Sequence, residues 1–116
     1  MRIAVAGTGS IGRRHIAHLQ ALLPELQLVL LRAHGRIDAY AEAQHAEVLP
    51  DLAAALSHPL DALVIATPSD LHADLVLQGL SAGLAMYIEK PVVTTAEQLQ
   101  MVHAQSTSAH TSPIIQ

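Results

Sequence analysis

VAGTGSIGRRH, residues 5–15, decides how this chain folds. The apolar run Ile3 to Ala6 has strand character and closes on Gly7-Thr8-Gly9. From Ile11 an apolar stripe follows helical spacing through Ala17, His18, Leu19 and Leu22, and Pro24 stops it. Gly7, Gly9 and Gly12 therefore stand in a G-x-G-x-x-G frame between a strand and a helix, the context that gives the frame its meaning. Gly7 is expected to make the tight turn, Gly9 to let a diphosphate approach the backbone, and Gly12 to let the helix pack closely on the sheet. The start of the helix then offers unpaired N–H groups and a partial positive charge to an anion. The competing reading is a glycine-rich turn that holds no ligand.

Further along, apolar runs of strand length alternate with helical segments. Leu28 to Leu31, Val48-Leu49, Ala62 to Ala66 and Met86 to Ile88 read as strands, and Pro113-Ile114-Ile115 as the start of a sixth. Asp38 is placed to cap a short helix through Ala46, Asp51 one to about Ser57, and Ser69 one that Gly83 ends. Thr94 and Glu97 form a capping box for a helix over roughly 95–107. Strands without polar alternation, separated by helices, predict a parallel sheet covered on both faces. The expected fold is a doubly wound parallel α/β sheet, a Rossmann fold with three α/β/α layers, in one domain over residues 1–116.

Composition narrows the function classes. Hydrophobic residues make up 51% of the chain, which favours a packed core over disorder. With no Cys, Phe or Trp, that core must come from Leu, Val, Ile and Ala, and disulfides and cysteine zinc sites are excluded. The formal net charge of −4 with no basic patch argues against nucleic acid as a partner. No run has the length of a membrane span, and none at the start reads as a signal peptide, so a cytoplasmic protein is expected. His15 and His18 are spaced to share a metal, but no third ligand is suggested, and partly buried histidines without metal are expected.

An acid about 20 residues beyond the glycine motif ordinarily takes the ribose hydroxyls of NAD. Here the tip of the second strand is Arg32, with His34 and Arg36 close behind. A guanidinium there can pair with a 2′-phosphate, so NADP is favoured slightly over NAD, unless Arg32 stacks on adenine or points to solvent.

GTGSIGRRH, VIATPSDLHADL and YIEKPV together resemble the nucleotide-binding half of the Gfo/Idh/MocA oxidoreductase family, in the family's order and over essentially the whole chain. The resemblance implies that Gly7, Thr8, Gly9, Ser10, Ile11 and Gly12 form the pyrophosphate loop and that Arg32 reads the adenosine ribose. It implies that Thr67 and Pro68 lie along the nicotinamide side with His72 nearby. Glu89 and Lys90 would sit at the end of the fifth strand as part of the cofactor-binding set, with Lys90 reaching toward the substrate oxygen or the nicotinamide ribose. Lys90 is the implied catalytic residue, polarising the substrate oxygen or relaying its proton, with Glu89 orienting it. The implied chemistry is hydride exchange between a nicotinamide and a carbon bearing a hydroxyl or carbonyl, on a sugar- or cyclitol-like substrate.

Family members continue into a second domain that supplies the substrate pocket, whereas this sequence stops at Gln116 as a sixth strand begins. The expectation is a cofactor-binding part that is inactive alone and prone to self-association through residues 113–116. A free-standing dinucleotide-binding sensor module is the alternative, and a fold that binds S-adenosylmethionine is a weaker one.

Overall fold

A computed structural model of the chain describes residues 1–33, 35–67, 72–88 and 114–115. Strands β1 (Arg2–Ala6), β2 (Gln27–Leu31), β3 (Glu47–Leu49), β4 (Ala62–Ile65), β5 (Ala85–Ile88) and β6 (Ile114–Ile115) form one sheet in the order β3-β2-β1-β4-β5-β6. Every pairing is parallel, from Val5 beside Leu30 and Val64 to Ile88 beside Ile115. Between them run helices α1 (Ser10–Leu22), α2 (Ala39–Ala43), α3 (Leu52–Ala55) and α4 (His72–Ser81).

Side chains alternate across the strands into two cores, as the pleat requires. Ile3, Val5, Leu28, Leu30 and Val64 pack with Ile16 of α1 and Ala41 of α2. Ala4, Val29, Leu63, Ile65, Met86 and Ile88 pack with Leu52 and Ala55 of α3 and with Val76 and Leu80 of α4. Both faces are thus covered, giving the three-layer doubly wound architecture expected from the unbroken apolar strands. With β2 on one side of β1 and β4 on the other, the chain reverses its direction of winding at β1. A crevice opens at the carboxyl ends of β1 and β4, where ligands of such sheets bind.

Local signals explain most boundaries. Asp38 and Asp51 accept hydrogen bonds from Ala41 N–H at 2.9 Å and Ala54 N–H at 2.8 Å, capping α2 and α3 as read from sequence. Helix α2 stops earlier than expected, because His45 takes a left-handed conformation at φ 54°. Gly83, at φ 70°, turns the chain out of α4. The Ser69 cap and the Thr94–Glu97 capping box lie outside the described residues.

The buried face of α1 differs from the stripe expected in the sequence. Gly12 and Ile16 are its buried residues, with Leu19 packed beside them, while Ile11 is 48% and Leu22 77% exposed. Contact between Gly12 and the β1 turn fixes the rotation of the helix, which carries Ile11 and Leu22 outward. His18 is exposed rather than partly buried, and half-buried His15 meets Tyr87 edge-on at 4.9 Å between ring centroids. Among the described residues, no helix is long and apolar enough to cross a membrane, and no group of three His, Cys, Asp or Glu could hold a metal.

The amino edge of the sheet is locked by Arg2, the buried charged residue of the strands. Its backbone N–H donates to Asp61 Oδ2 at 2.8 Å, and its guanidinium donates to the carbonyls of Ala55 at 2.6 Å and His58 at 3.2 Å. A further bond runs to Glu47 Oε1 at 2.9 Å, but Glu47 is half exposed, so water screens that pair. The carbonyl bonds matter more, because removing a charged donor leaves them without a partner. Arg2→Met should cost about 2–3 kcal/mol in chemical denaturation, and Glu47→Gln less than about 1 kcal/mol. Equal losses from the two would contradict this ranking.

Candidate functional site

The crevice is built by the glycine motif. Gly7 follows β1 at φ 96°, a region costly for any side-chain-bearing residue. A Cβ there would run into the carbonyl of Ala66, and one on Gly12 would run into the carbonyl of Gly7. The ends of β1 and β4 and the first turn of α1 are therefore in backbone contact, closed by a 2.8 Å bond from Ala66 N–H to Ala6 O. Gly9 is the contrast: a Cβ there would find nothing within 4 Å.

Gly9 is also the N-cap of α1, in extended conformation and without a side-chain cap bond, and the first turn carries no acid. The leading N–H groups of a 13-residue helix thus face the crevice with their partial charge uncompensated by a side chain. Gly7, Thr8, Gly9, Ser10, Ile11, Ala66 and Thr67 line a cleft of about 500 Å³ at this point. Six loop and strand-end positions singled out from sequence are thereby brought together with Gly12 beneath them.

Arginines hold the loop. Arg13 Nε donates to the Thr8 carbonyl at 2.8 Å, and its guanidinium lies 4.0 Å from the centre of the Tyr40 ring. Arg32 Nη2 donates to Thr8 Oγ1 at 3.1 Å. Arg32 Nη1 lies 2.8 Å from Asp38 Oδ1, with the arginine side chain 8% and the aspartate side chain 51% exposed. The tip of β2 thus carries a guanidinium already matched by a carboxylate, rather than one open to a phosphate. The hydrogen bond and charge of Arg32, with the Ala41 N–H and more weakly the charge of Arg13, hold the Asp38 carboxyl below the ordinary aspartate value of 3.8, against an opposing effect of burial.

Of the remaining sequence-predicted positions, His72 is the first residue of α4. Pro68, Glu89 and Lys90 lie outside the described residues, as does His34; Ile88, the last residue of β5, directly precedes Glu89. Arg13, Tyr40 and Asp38 were not anticipated at the site. Asp38 announced itself in sequence as a helix cap, and nothing in its spacing revealed that the turn after β2 returns it to Arg32.

A family profile described as an oxidoreductase family with an NAD-binding Rossmann fold matches residues 1–112. The chain belongs to the Gfo/Idh/MocA family. It is 30% identical over 123 aligned positions to an inositol 2-dehydrogenase of Agrobacterium fabrum, covering all of this chain and 36% of that protein. An inositol 2-dehydrogenase of Saccharopolyspora erythraea is 32% identical over 110 positions, with 91% of this chain and 32% of that protein covered. The chain spans about a third of the length of these curated relatives.

Among solved structures, myo-inositol dehydrogenase from Lactobacillus casei, in complex with NAD(H) and myo-inositol, superposes with a TM-score of 0.84 at 26% identity. It is matched over 100% of this chain and 35% of its own. The WlbA dehydrogenase from Bordetella pertussis, in complex with NADH and UDP-GlcNAcA, gives a TM-score of 0.86 at 25% identity, over 99% of this chain and 36% of its own. The dinucleotide in both is NAD(H), so the lean towards NADP drawn from Arg32 gains no support from these two structures. The Asp38 contact supplies the physical reason to distrust it.

The open space at Gly9 separates binding from folding. Gly9→Ala should keep the thermal midpoint of the wild type while weakening dinucleotide binding by about tenfold or more, because the methyl enters the cleft. Gly7→Ala should lose stability outright, since its methyl meets backbone at a positive φ. Parallel melting curves and NADH titrations distinguish the two effects.

Asp38 predicts an acid signature. Its folded-state pKa is lowered, so its stabilising contribution is complete above about pH 3.8 and is lost as pH falls through the lower folded value. The difference in melting temperature between wild type and Asp38→Asn should be level from pH 5 to 8 and close only in stronger acid.

Proposed function

We propose that this chain is the nicotinamide-dinucleotide-binding part of an oxidoreductase acting on hydroxyl or carbonyl carbons of a sugar- or cyclitol-like substrate. The observation that carries the reading is the cleft at the reversal of winding. It lies between a helix end that no side chain caps and a glycine whose Cβ position is empty. The relatives' names support the substrate class, since they include inositol dehydrogenases and a dehydrogenase solved with a UDP-sugar.

In this reading Gly7, Thr8, Gly9, Ser10, Ile11 and Gly12 hold the diphosphate through the backbone amides that open α1. The two arginine bonds keep Thr8 from moving as the ligand enters. Arg32 faces the adenosine ribose, and Thr67, Pro68 and His72 flank the nicotinamide. When bound, the nicotinamide supplies hydride exchange with the substrate carbon. Lys90 polarises the substrate oxygen or moves its proton, and Glu89 orients Lys90. These residues match only about a third of the inositol dehydrogenase relatives, so in this reading the substrate is bound by the part they do not match, and this chain alone binds the dinucleotide without turning substrate over.

NADH at 100 times its dissociation constant should stabilise the chain by about 2.7 kcal/mol. No stabilisation by any nicotinamide dinucleotide at millimolar concentration would overturn the reading. In an intact enzyme carrying this domain, Lys90→Ala should lower kcat by about 10²–10⁴ while dinucleotide affinity stays within a few-fold. Loss of dinucleotide affinity with kcat preserved would instead assign Lys90 to binding.

A further inference from the structure

Gly7 and Gly9 flank Thr8, so the loop that lines the cleft has few side chains of its own to brace it. A ligand that must order such a loop loses affinity to the entropy of ordering, whereas a loop already held does not impose that cost. Here the loop is tied from two sides. Arg13 Nε donates to the Thr8 carbonyl at 2.8 Å, and Arg32 Nη2 donates to Thr8 Oγ1 at 3.1 Å. Both arginines are themselves held from the start of α2. Arg32 meets Asp38, the N-cap of that helix, and the Arg13 guanidinium lies 4.0 Å from the centre of the Tyr40 ring.

The two ties differ in how they are secured. Arg32 is buried and fixed by a carboxylate. Arg13 is exposed, and an exposed arginine samples many rotamers unless a partner selects one. Tyr40 is half-buried and packs against the core that contains Ile16, Leu28 and Leu30, so its ring is a fixed surface. The conformer that lies over this ring is also the one whose Nε reaches Thr8. We propose that Tyr40 is a positioning residue for the dinucleotide loop: by seating the Arg13 guanidinium, it holds the Thr8 carbonyl in place before the ligand arrives. This rests on the dinucleotide-binding reading above and adds to it a side chain that is not part of the cleft lining.

A double-mutant cycle on affinity tests this. NADH is titrated at one fixed salt concentration into wild type, Tyr40→Phe, Tyr40→Leu, Arg13→Met and Arg13→Met/Tyr40→Leu, each as the full chain. Tyr40→Phe keeps an aromatic face for the cation and should bind within about twofold of wild type. Tyr40→Leu removes that face and should weaken binding by about two- to fivefold. Arg13→Met, at an exposed position, should weaken it at least as much. In the Arg13→Met background, Tyr40→Leu should have no further effect on affinity, because the tyrosine acts only through the arginine. Lost core packing at Tyr40 lowers the melting temperature in both backgrounds, so only the affinity cycle reports positioning. Affinity losses that add in the double variant, or wild-type affinity in Tyr40→Leu or Arg13→Met, would overturn the proposal and leave the dinucleotide reading standing. Wild type that binds no NADH would overturn both.

Discussion

Three backbones meet where β1 ends, and no side chain fits between them. The Gly7 carbonyl lies where a Gly12 Cβ would be, and the Ala66 carbonyl lies where a Gly7 Cβ would be. This contact sets the rotation of α1, so Gly12 and Ile16 face the sheet and Ile11 faces out. It also brings the Thr8 loop and the end of β4 to the two sides of one cleft. The position of the helix amides, the lining of the cleft and the packing of Ile16 against Val5 and Leu30 all follow from it.

The two edges of the sheet are built on opposite terms. At the amino edge Arg2 fills buried carbonyls from α3 and its following turn and leaves its donors paired. At the carboxyl edge the amides of α1 have no side-chain cap and Gly9 borders empty space. Fully satisfied polar groups rigidify a fold, whereas unsatisfied ones are costly unless a ligand meets them. The energetic contrast between the edges marks where binding is to be sought, independently of any likeness to other proteins.

Much of this was legible in the residues. The strands were readable because a parallel sheet buried on both faces needs continuous apolar runs, and the glycine frame because backbone contact tolerates nothing larger. Asp38 and Asp51 were readable as caps because capping is local in sequence. Long-range events were not readable: the buried role of Arg2, whose guanidinium partners are Ala55, His58 and Glu47, and the return of Asp38 to Arg32. The face of α1 is another long-range outcome, since hydrophobicity favours Ile11 and Leu22 while the Gly12 contact decides the rotation. Pattern reports what each segment prefers, and tertiary contact decides which preference is met.

Anchoring at the amino edge has a practical side. The Met1 carbonyl accepts the Gln27 N–H at 2.9 Å, and Arg2 is fixed immediately after it. The first residue is therefore held at the end of β1 opposite the cleft, a full strand length away. A fluorophore or surface tether attached at Met1 would leave the cleft facing free solution. A biosensor immobilised through that point would report ligand arrival without steric interference from its own support.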